Sequence, residues 1–212
     1  AYQRRMSPDN LVLKKLFDRQ AFGRIYAVDL ACKFWRDQAY YDSGAYRGGL
    51  DIDGGGPFIQ QASHNIDLYI WFFGMPSKVV SMMGTFAHDI EAEDHGAVLF
   101  KHDNGMIGTV VASTAARPGF PARLEVHCEK GSFSTIDDRI AMWAIDDIGN
   151  PAHAVPSNTE DSSKNAAISD TSRHEAIIRD FEAAVREKRQ PLADAASARQ
   201  TTELILKIYG RI

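Results

Sequence analysis

The sequence has few of the features that mark secreted, membrane-spanning or nucleic-acid-binding proteins. Its two cysteines, Cys32 and Cys128, both lie in apolar alternating runs, which is typical of buried reduced thiols. The most apolar segment, 66–73, is far shorter than the roughly 20 residues that a bilayer-spanning helix needs. The formal net charge of −4 argues against nucleic acid as the main partner. We therefore expect a cytoplasmic protein that binds neither a membrane nor a nucleic acid.

The motifs of several enzyme classes are also missing. The glycines never fall into the Gly-x-Gly-x-x-Gly spacing of a dinucleotide-binding turn, and no Gly-x-Ser-x-Gly elbow of a serine hydrolase is present. The histidines at 88, 95, 102 and 127 lack the spacing of a metal motif such as His-Glu-x-x-His, and residues 51–54 lack the rest of a calcium loop. The sequence therefore predicts no metal site.

The order of the predicted elements indicates an α+β fold, with an open antiparallel sheet and helices on one face. Helical patterns follow Ser7-Pro8 and the glycine run at 54–56, and two more close the chain, the first from a capping box at Ser172 and Glu175. Residues 25–35 read as a strand with a buried even-numbered side, and 78–145 as a meander with an Asn-Gly hairpin turn. We expect one domain over 1–212, with a functional loop at 36–56 and a surface loop at 150–170.

The most informative stretch is the glycine run at 54–56 and the amphipathic segment after it. Four side chains recur at i, i+4, i+7 and i+11, so one continuous helix would place them on one side: Gln60, His64, Asp67 and Trp71. The opposite side is apolar, with Ile59, Ala62, Ile66, Ile70 and Phe73. The pattern predicts a helix anchored in the core that holds an imidazole with a pKa near neutrality above a cleft, where it suits proton transfer. A structural, hydrogen-bonded histidine is the alternative.

The same region resembles the glucose-fructose oxidoreductase / inositol dehydrogenase (Gfo/Idh/MocA) family of NAD(P)-dependent enzymes. In that family a glycine pair leads into a helix with a substrate-facing polar residue, a histidine four residues later and then an aspartate, which here are Gln60, His64 and Asp67. The branch that acts on nucleotide-linked amino sugars or their uronic acids is the most similar. It shares three motifs in the same order: Asp-Gln-Ala-Tyr-Tyr-Asp-Ser-Gly at 37–44, aromatic-Arg-Gly at 46–48 and Asp-Gly-Gly-Gly at 53–56.

The resemblance implies reversible oxidation of a secondary hydroxyl on a sugar or nucleotide sugar, and it assigns roles to individual residues. His64 would be catalytic. Substrate would contact Gln60, Tyr46, Arg47 and Asp67, and the cofactor would contact Tyr46, Arg47, Gly55 and Gly56. Gln60 departs from the Asp of the wider family and the Asn of this branch, and its amide can bind hydroxyls but cannot act as a base. For Asp67 the alternative is a role in supporting the structure. For Arg47 the alternative is a solvated loop position, although a guanidinium can bind a carboxylate or a phosphate.

The resemblance covers nearly the whole chain but only the second half of such an enzyme. Neither the Rossmann domain nor the Glu-Lys-Pro segment with its catalytic lysine is present. We therefore expect the carboxy-terminal substrate-binding and oligomerisation domain of a longer enzyme, inactive alone, with NAD or NADP bound mainly by the missing N-terminal domain. The resemblance also implies a homo-oligomer paired through the open sheet face. The alternative is a non-catalytic sugar-binding or assembly module that kept the fold.

Overall fold

The computed structural model describes residues 2–152 and 171–212, and an open seven-stranded sheet forms its centre. The strands are β1 (Ile25–Lys33), β2 (Lys78–Gly84), β3 (His95–Lys101), β4 (Ile107–Ser113), β5 (Arg123–Cys128), β6 (Gly131–Ile136) and β7 (Arg139–Ile145). Their order across the sheet is β2-β3-β4-β1-β5-β6-β7. The α+β class and the open sheet are confirmed.

The sheet is mixed rather than wholly antiparallel, because β1 lies between two hairpin systems. Strand β1 pairs in parallel with β4 on one side and antiparallel with β5 on the other. The remaining neighbours are antiparallel, as the short turns predict. The single parallel pair corrects the expectation of a purely antiparallel sheet, and it arises because the chain returns to β1 only after three helices and the β2–β3 hairpin.

Four helices of the described residues pack against strands of the sheet. After a 3₁₀ turn (Gln3–Met6) the helices are α1 (Pro8–Asp18), α2 (Gln38–Asp42), α3 (Pro57–Gln60), α4 (Ser63–Phe73), α5 (Ser172–Glu187) and α6 (Ala195–Ile208). Helix α4 packs against β1 and α6, α1 against β7, α3 against β4, and α6 against β2. None of these helices has the length and apolar character needed to cross a membrane.

The core lies between this helical layer and the inward side of the strands. In β1 the even positions Val28, Leu30 and Cys32 are buried while Lys33 is exposed, as the alternation predicts, although Tyr26 is exposed as well. Both cysteines are buried and unpaired, as expected. The largest wholly buried aromatic side chains come from helices, strands and connecting segments alike: Tyr69, Phe22, Phe58, Phe100 and Phe133.

The predicted continuous helix after the glycine run is wrong. Its hydrogen-bond ladder is interrupted between α3 and α4, where the backbone N–H of Ala62 donates to the carbonyl of Pro57, five residues back, at 2.8 Å. The wide turn lets Ala62 pack into the core without exposed surface. As a result Gln60 is exposed, His64 is half-buried and Asp67 is fully buried, so the expected polar stripe does not form.

Several element boundaries also differ from the expectations. Strand β1 ends at Lys33, and Trp35 forms only an isolated bridge. The predicted capping box is absent, because Ser172 is already the first residue of α5 and no side chain caps that helix. Asp194 caps α6 by accepting a hydrogen bond from the N–H of Ser197. Most of the predicted surface loop at 150–170 lies outside the described residues.

Candidate functional site

His64 lies in the first turn of α4, beside the start of the chain. Its ring is half-buried and meets the ring of Tyr2 edge-on at 5.6 Å between centroids. Its Nδ1 is buried and has no hydrogen-bond partner among the described residues. A buried polar atom without a partner is uncommon in native proteins because its lost hydration is not replaced. The described part of the domain therefore leaves the Nδ1 atom of His64 without a hydrogen bond.

The electrostatic surroundings hold His64 in its neutral form. Burial, assisted by the positive charge of Arg4, lowers the pKa of His64 to about 4. The expectation of a pKa near neutrality is therefore corrected for this domain. A neutral imidazole has one nitrogen that accepts a hydrogen bond and one that donates a hydrogen bond. The ring of His64 can exchange a proton only with a group that binds next to it.

Other polar atoms near the start of α4 also lack partners. Oδ1 of Asn65, Oε1 of Gln61 and Oε1 of Gln3 are buried and make no hydrogen bond within the described part of the chain. Gln61 and Asn65 flank His64 in sequence, and Gln3 belongs to the 3₁₀ turn that packs on α4. Several buried polar atoms near the start of α4 therefore form no hydrogen bond within the described residues.

Arg47 is held between aromatic rings in the loop before α3. Its guanidinium carbon lies 4.3 Å from the ring centre of Tyr40 and 5.2 Å from that of Tyr46. Its buried Nε has no partner, and no carboxylate of the described residues pairs with this side chain. Stacking on aromatic faces orients a guanidinium without using its N–H donors. Arg47 is therefore a fixed cation with donors available for an anion.

Tyr40 connects this loop to the segment that carries His64. Its hydroxyl accepts a hydrogen bond from Nε2 of Gln61 at 3.4 Å, three residues before His64. The structure therefore brings the Arg47 loop against the start of α4. Tyr40 and Gln61 were not among the predicted site residues. The period-free tyrosine-rich loop was the one signal in the sequence that could have indicated Tyr40.

Gln60 stabilises the loop rather than standing beside His64. Its Nε2 donates to the carbonyl of Asp53 at 2.6 Å, and a carboxylate oxygen of Asp53 accepts from the N–H of Gly48 at 2.9 Å. The side chain is exposed, and among the described residues it forms its hydrogen bond through Nε2 and not through Oε1. Gln60 can still offer that carbonyl oxygen to a ligand hydroxyl.

Gly55 and Gly56 pack closely against their own domain. A Cβ on Gly56 would lie 1.8 Å from the carbonyl oxygen of Glu93, and one on Gly55 would lie 2.4 Å from the hydroxyl of Tyr209. The N–H of Gly56 donates to the Glu93 carboxylate at 3.0 Å, and the Tyr209 hydroxyl donates to the same carboxylate at 2.6 Å. These contacts account for both glycines, and the occupied N–H gives no support to a phosphate cradle at the four-residue helix α3.

Asp67 is fully buried in an ion pair. Nε and Nη2 of Arg5 donate to its two carboxylate oxygens at 2.7 and 2.5 Å, and the hydroxyl of Thr201 donates to Oδ1 at 2.9 Å. Arg5 also donates to the carbonyl of Leu192 and to the hydroxyl of Ser197. The pair thus joins the 3₁₀ turn, α4 and α6, and both oxygens of Asp67 are already engaged.

Comparison with protein-family models gives one match. The model of the GFO/IDH/MocA C-terminal domain matches residues 11–134, which is more than half of the chain. A comparison with curated protein sequences gave no significant match.

Solved structures of similar fold cover the whole chain. The WlbA dehydrogenase from Bordetella pertussis, in complex with NADH and UDP-GlcNAcA, is 26% identical with a TM-score of 0.82, covering 100% of this chain and 60% of that one. The WlbA dehydrogenase from Chromobacterium violaceum, with the same two ligands, is 26% identical with a TM-score of 0.81, covering 100% and 59%. Levoglucosan dehydrogenase in complex with NADH is 19% identical with a TM-score of 0.80, covering 100% and 62%, and shows the likeness of fold alone. The chain thus spans about 60% of the length of the structures it matches.

Proposed function

The chain belongs to the GFO/IDH/MocA family, and on that premise we propose that it is the substrate-binding domain of an NAD(P)-dependent oxidoreductase acting on a secondary hydroxyl of a nucleotide sugar. The WlbA dehydrogenases that support this proposal hold NADH and UDP-GlcNAcA. The observation that carries it is the neutral, unpartnered imidazole of His64 at the start of α4. A domain with only a structural role for this histidine would satisfy its ring nitrogens internally.

His64 handles the proton of the reacting hydroxyl in this proposal. Because it is neutral at cellular pH, the imidazole can accept a hydrogen bond, and then the proton, from a sugar hydroxyl. Its low pKa makes it a weak base when alone, so a second base that is not in this chain, such as a lysine, would share the task. Gln60 has an exposed amide oxygen with which to bind a neighbouring hydroxyl.

Arg47 binds the anionic part of the substrate. Its unpaired guanidinium, stacked between Tyr40 and Tyr46, can form two parallel hydrogen bonds to a carboxylate or a phosphate. A uronic acid or a nucleotide diphosphate supplies such a group, whereas a neutral free sugar does not. We assign Asp67 to the support of α4 rather than to the substrate, because both of its oxygens are bonded to Arg5 or Thr201.

The cofactor makes only peripheral contacts with this domain in our proposal. The described residues lack a glycine-rich phosphate turn, and the N–H of Gly56 is taken by Glu93, so a dinucleotide does not fit here by itself. When bound by another part of the protein, the nicotinamide supplies the hydride acceptor. Tyr46 and Arg47 are the residues of this chain available to meet it at the domain edge. We expect the 212-residue chain alone to show no micromolar affinity for NAD by calorimetry.

We also propose that two copies pair through the outer sides of β2, β3 and β4 in the open sheet face. Apolar side chains stand exposed there on three adjacent strands, including Met82 at 79%, Leu99 at 48% and Ile107 at 39%. An apolar surface shared by neighbouring strands is costly to leave in water. A Met82→Lys, Leu99→Lys double variant should elute as a smaller species than the parent chain in size-exclusion chromatography with light scattering. An unchanged mass for the variant, or a monomeric parent chain, would reject this surface.

The function is tested by turnover of the complete protein with UDP-GlcNAcA and NAD(P). We expect substrate-dependent formation of reduced cofactor, followed by absorbance. The same nucleotide sugar with a hydroxymethyl group in place of the carboxylate measures the contribution of Arg47. If Arg47 binds the uronate, Arg47→Ala raises KM for UDP-GlcNAcA by about tenfold or more, since charge-assisted bonds are worth about 1.5–3 kcal/mol, and leaves KM for the neutral analogue nearly unchanged. Absence of turnover with any sugar or nucleotide sugar would contradict the proposed function and favour a non-catalytic module.

A further inference from the structure

A histidine and two carboxylates converge on the outer face of the sheet, away from the helical layer. Asp29 on β1 lies directly opposite Glu125 on β5, and His127 lies two residues further along β5, opposite Ala27. Because alternate residues of a strand point to one side, all three side chains project from the same face. This cluster shares no residue with the candidate site at α4.

The three side chains are close enough to share one ion. A carboxylate oxygen of Asp29, a carboxylate oxygen of Glu125 and a ring nitrogen of His127 all lie within 4.8 Å of one another. Zn²⁺ binds such atoms at about 2.0–2.2 Å, which places neighbouring ligand atoms about 3–4 Å apart. Asp29 and Glu125 are half-buried and His127 is exposed.

Neighbouring hydroxyls orient two of the three groups. Nδ1 of His127 is 2.9 Å from the hydroxyl of Ser132, so Nε2 is the nitrogen left free. The hydroxyl of Thr109 donates to Oδ1 of Asp29, so Oδ2 is left free. In metal sites such outer hydrogen bonds fix the tautomer and the direction of the ligand.

Ser134 adds a further polar group on the same face. It lies opposite Glu125 in the pairing of β5 and β6, so its hydroxyl projects on the side of the cluster. Only 9% of its surface is exposed. A nearly buried hydroxyl beside two carboxylates is suited to hold a water of a metal's coordination shell.

Arg123 competes for one of these ligands. Its Nε is 3.1 Å from an oxygen of Glu125, in a pair whose arginine side chain is more than half exposed. Exposed ion pairs of this kind are worth about 0–1 kcal/mol, so a divalent ion can displace the guanidinium.

We propose that Asp29, Glu125 and His127 form a binding site for a divalent transition-metal ion, with Zn²⁺ the best-matched one. An imidazole together with carboxylates suits Zn²⁺, whereas Mg²⁺ prefers an all-oxygen shell. The spacing of the histidines along the sequence gave no sign of it, because the ligands come from two strands that meet only in the folded sheet. This proposal goes beyond the oxidoreductase function and does not depend on it.

The test is calorimetric titration of the 212-residue chain with Zn²⁺ alone. We expect one high-affinity ion per chain, and no comparable binding of Mg²⁺. His127→Ala and Asp29→Asn should each weaken Zn²⁺ binding by more than tenfold, and Ser132→Ala by about tenfold, which is typical of a residue that orients a ligand. His95→Ala is the matched control, because His95 lies on the same sheet but outside the cluster, and it should leave the affinity unchanged.

Circular dichroism melting of each variant shows whether the sheet is intact, and Asp29→Asn keeps the shape of the side chain if His127→Ala does not fold. Absence of Zn²⁺ binding by the parent chain would overturn the proposal. Equal affinity of the parent and the folded Asp29→Asn and His127→Ala variants would overturn it as well, because the ion would then bind elsewhere.

Discussion

Two neighbouring turns of α4 differ in whether their buried polar atoms form hydrogen bonds. In the first turn, His64 and Asn65 bury atoms that bond to nothing in the described chain. One turn later, Asp67 buries a carboxylate whose two oxygens receive three hydrogen bonds from Arg5 and Thr201. The buried atoms of both turns are shielded from water, so burial alone does not distinguish the two turns.

The difference shows how a structural polar residue can be told from a functional one. A buried charge that is fully paired stabilises the position of the elements around it, here the 3₁₀ turn, α4 and α6. A buried polar atom left without a partner costs free energy, and it is kept where a ligand supplies the missing bond. On this basis we propose that Asp67 supports the position of α4 and that His64 takes part in the reaction.

Removing the carboxylate of Asp67 should have the largest effect on stability. Asp67→Ala leaves Arg5 buried without its counter-ion, which costs about 3–5 kcal/mol of unfolding free energy. Urea unfolding followed by circular dichroism measures this loss. Asp18→Ala is the control, because Asp18 pairs with Lys14 on the exposed side of α1 and should cost less than about 1 kcal/mol. Similar losses for the two variants would show that Asp67 is not a support.

A smaller effect is expected at the glycine run that leads to α4. Gly56→Ala places a methyl group against the backbone of Glu93, and the displacement should cost about 1–3 kcal/mol. Gly149→Ala is the matched control, since a Cβ there meets nothing within 4 Å and should change stability by less than about 0.5 kcal/mol. If Gly56→Ala unfolds like the parent chain, close packing does not explain this glycine.

The smallest stability effect is the pH dependence due to His64. Its folded pKa of about 4 lies below the value of about 6.5 for an unfolded histidine. As the pH falls from about 6.5 to about 4, the unfolded chain therefore binds a proton that the folded chain does not, and stability is lost. His64→Gln should lose less stability over this window than the parent chain, measured as melting temperature against pH. Identical profiles would mean that the imidazole is not desolvated.

Sequence patterns predicted the parts of this fold that depend on local periodicity. The apolar side of the segment after the glycine run is confirmed at Ala62, Ile66 and Ile70, which are all buried. The Asn-Gly turn between β3 and β4 is confirmed for the same reason, since a tight hairpin is set by a few adjacent residues. Local signals of this kind do not require knowledge of distant parts of the chain.

Three of the missed features depend on packing that a local sequence pattern does not contain. The break between Gln60 and Ser63, the insertion of β1 between β4 and β5, and the pairing of Asp67 with Arg5 are decided by packing. The family resemblance directed attention to His64 and Arg47. It could not show that His64 is desolvated, or that Arg47 is stacked between tyrosines and lacks a carboxylate partner in the described chain.

The central claim is that His64 serves the reaction and not the fold. The most direct measurement compares turnover and unfolding free energy for His64→Gln in the complete protein, with NAD(P) affinity determined in parallel. We predict that turnover falls by about 10²–10⁴-fold, as expected for a lost acid–base group, while the unfolding free energy at pH 7 and the cofactor affinity stay close to those of the parent. Turnover equal to that of the parent protein would contradict the account.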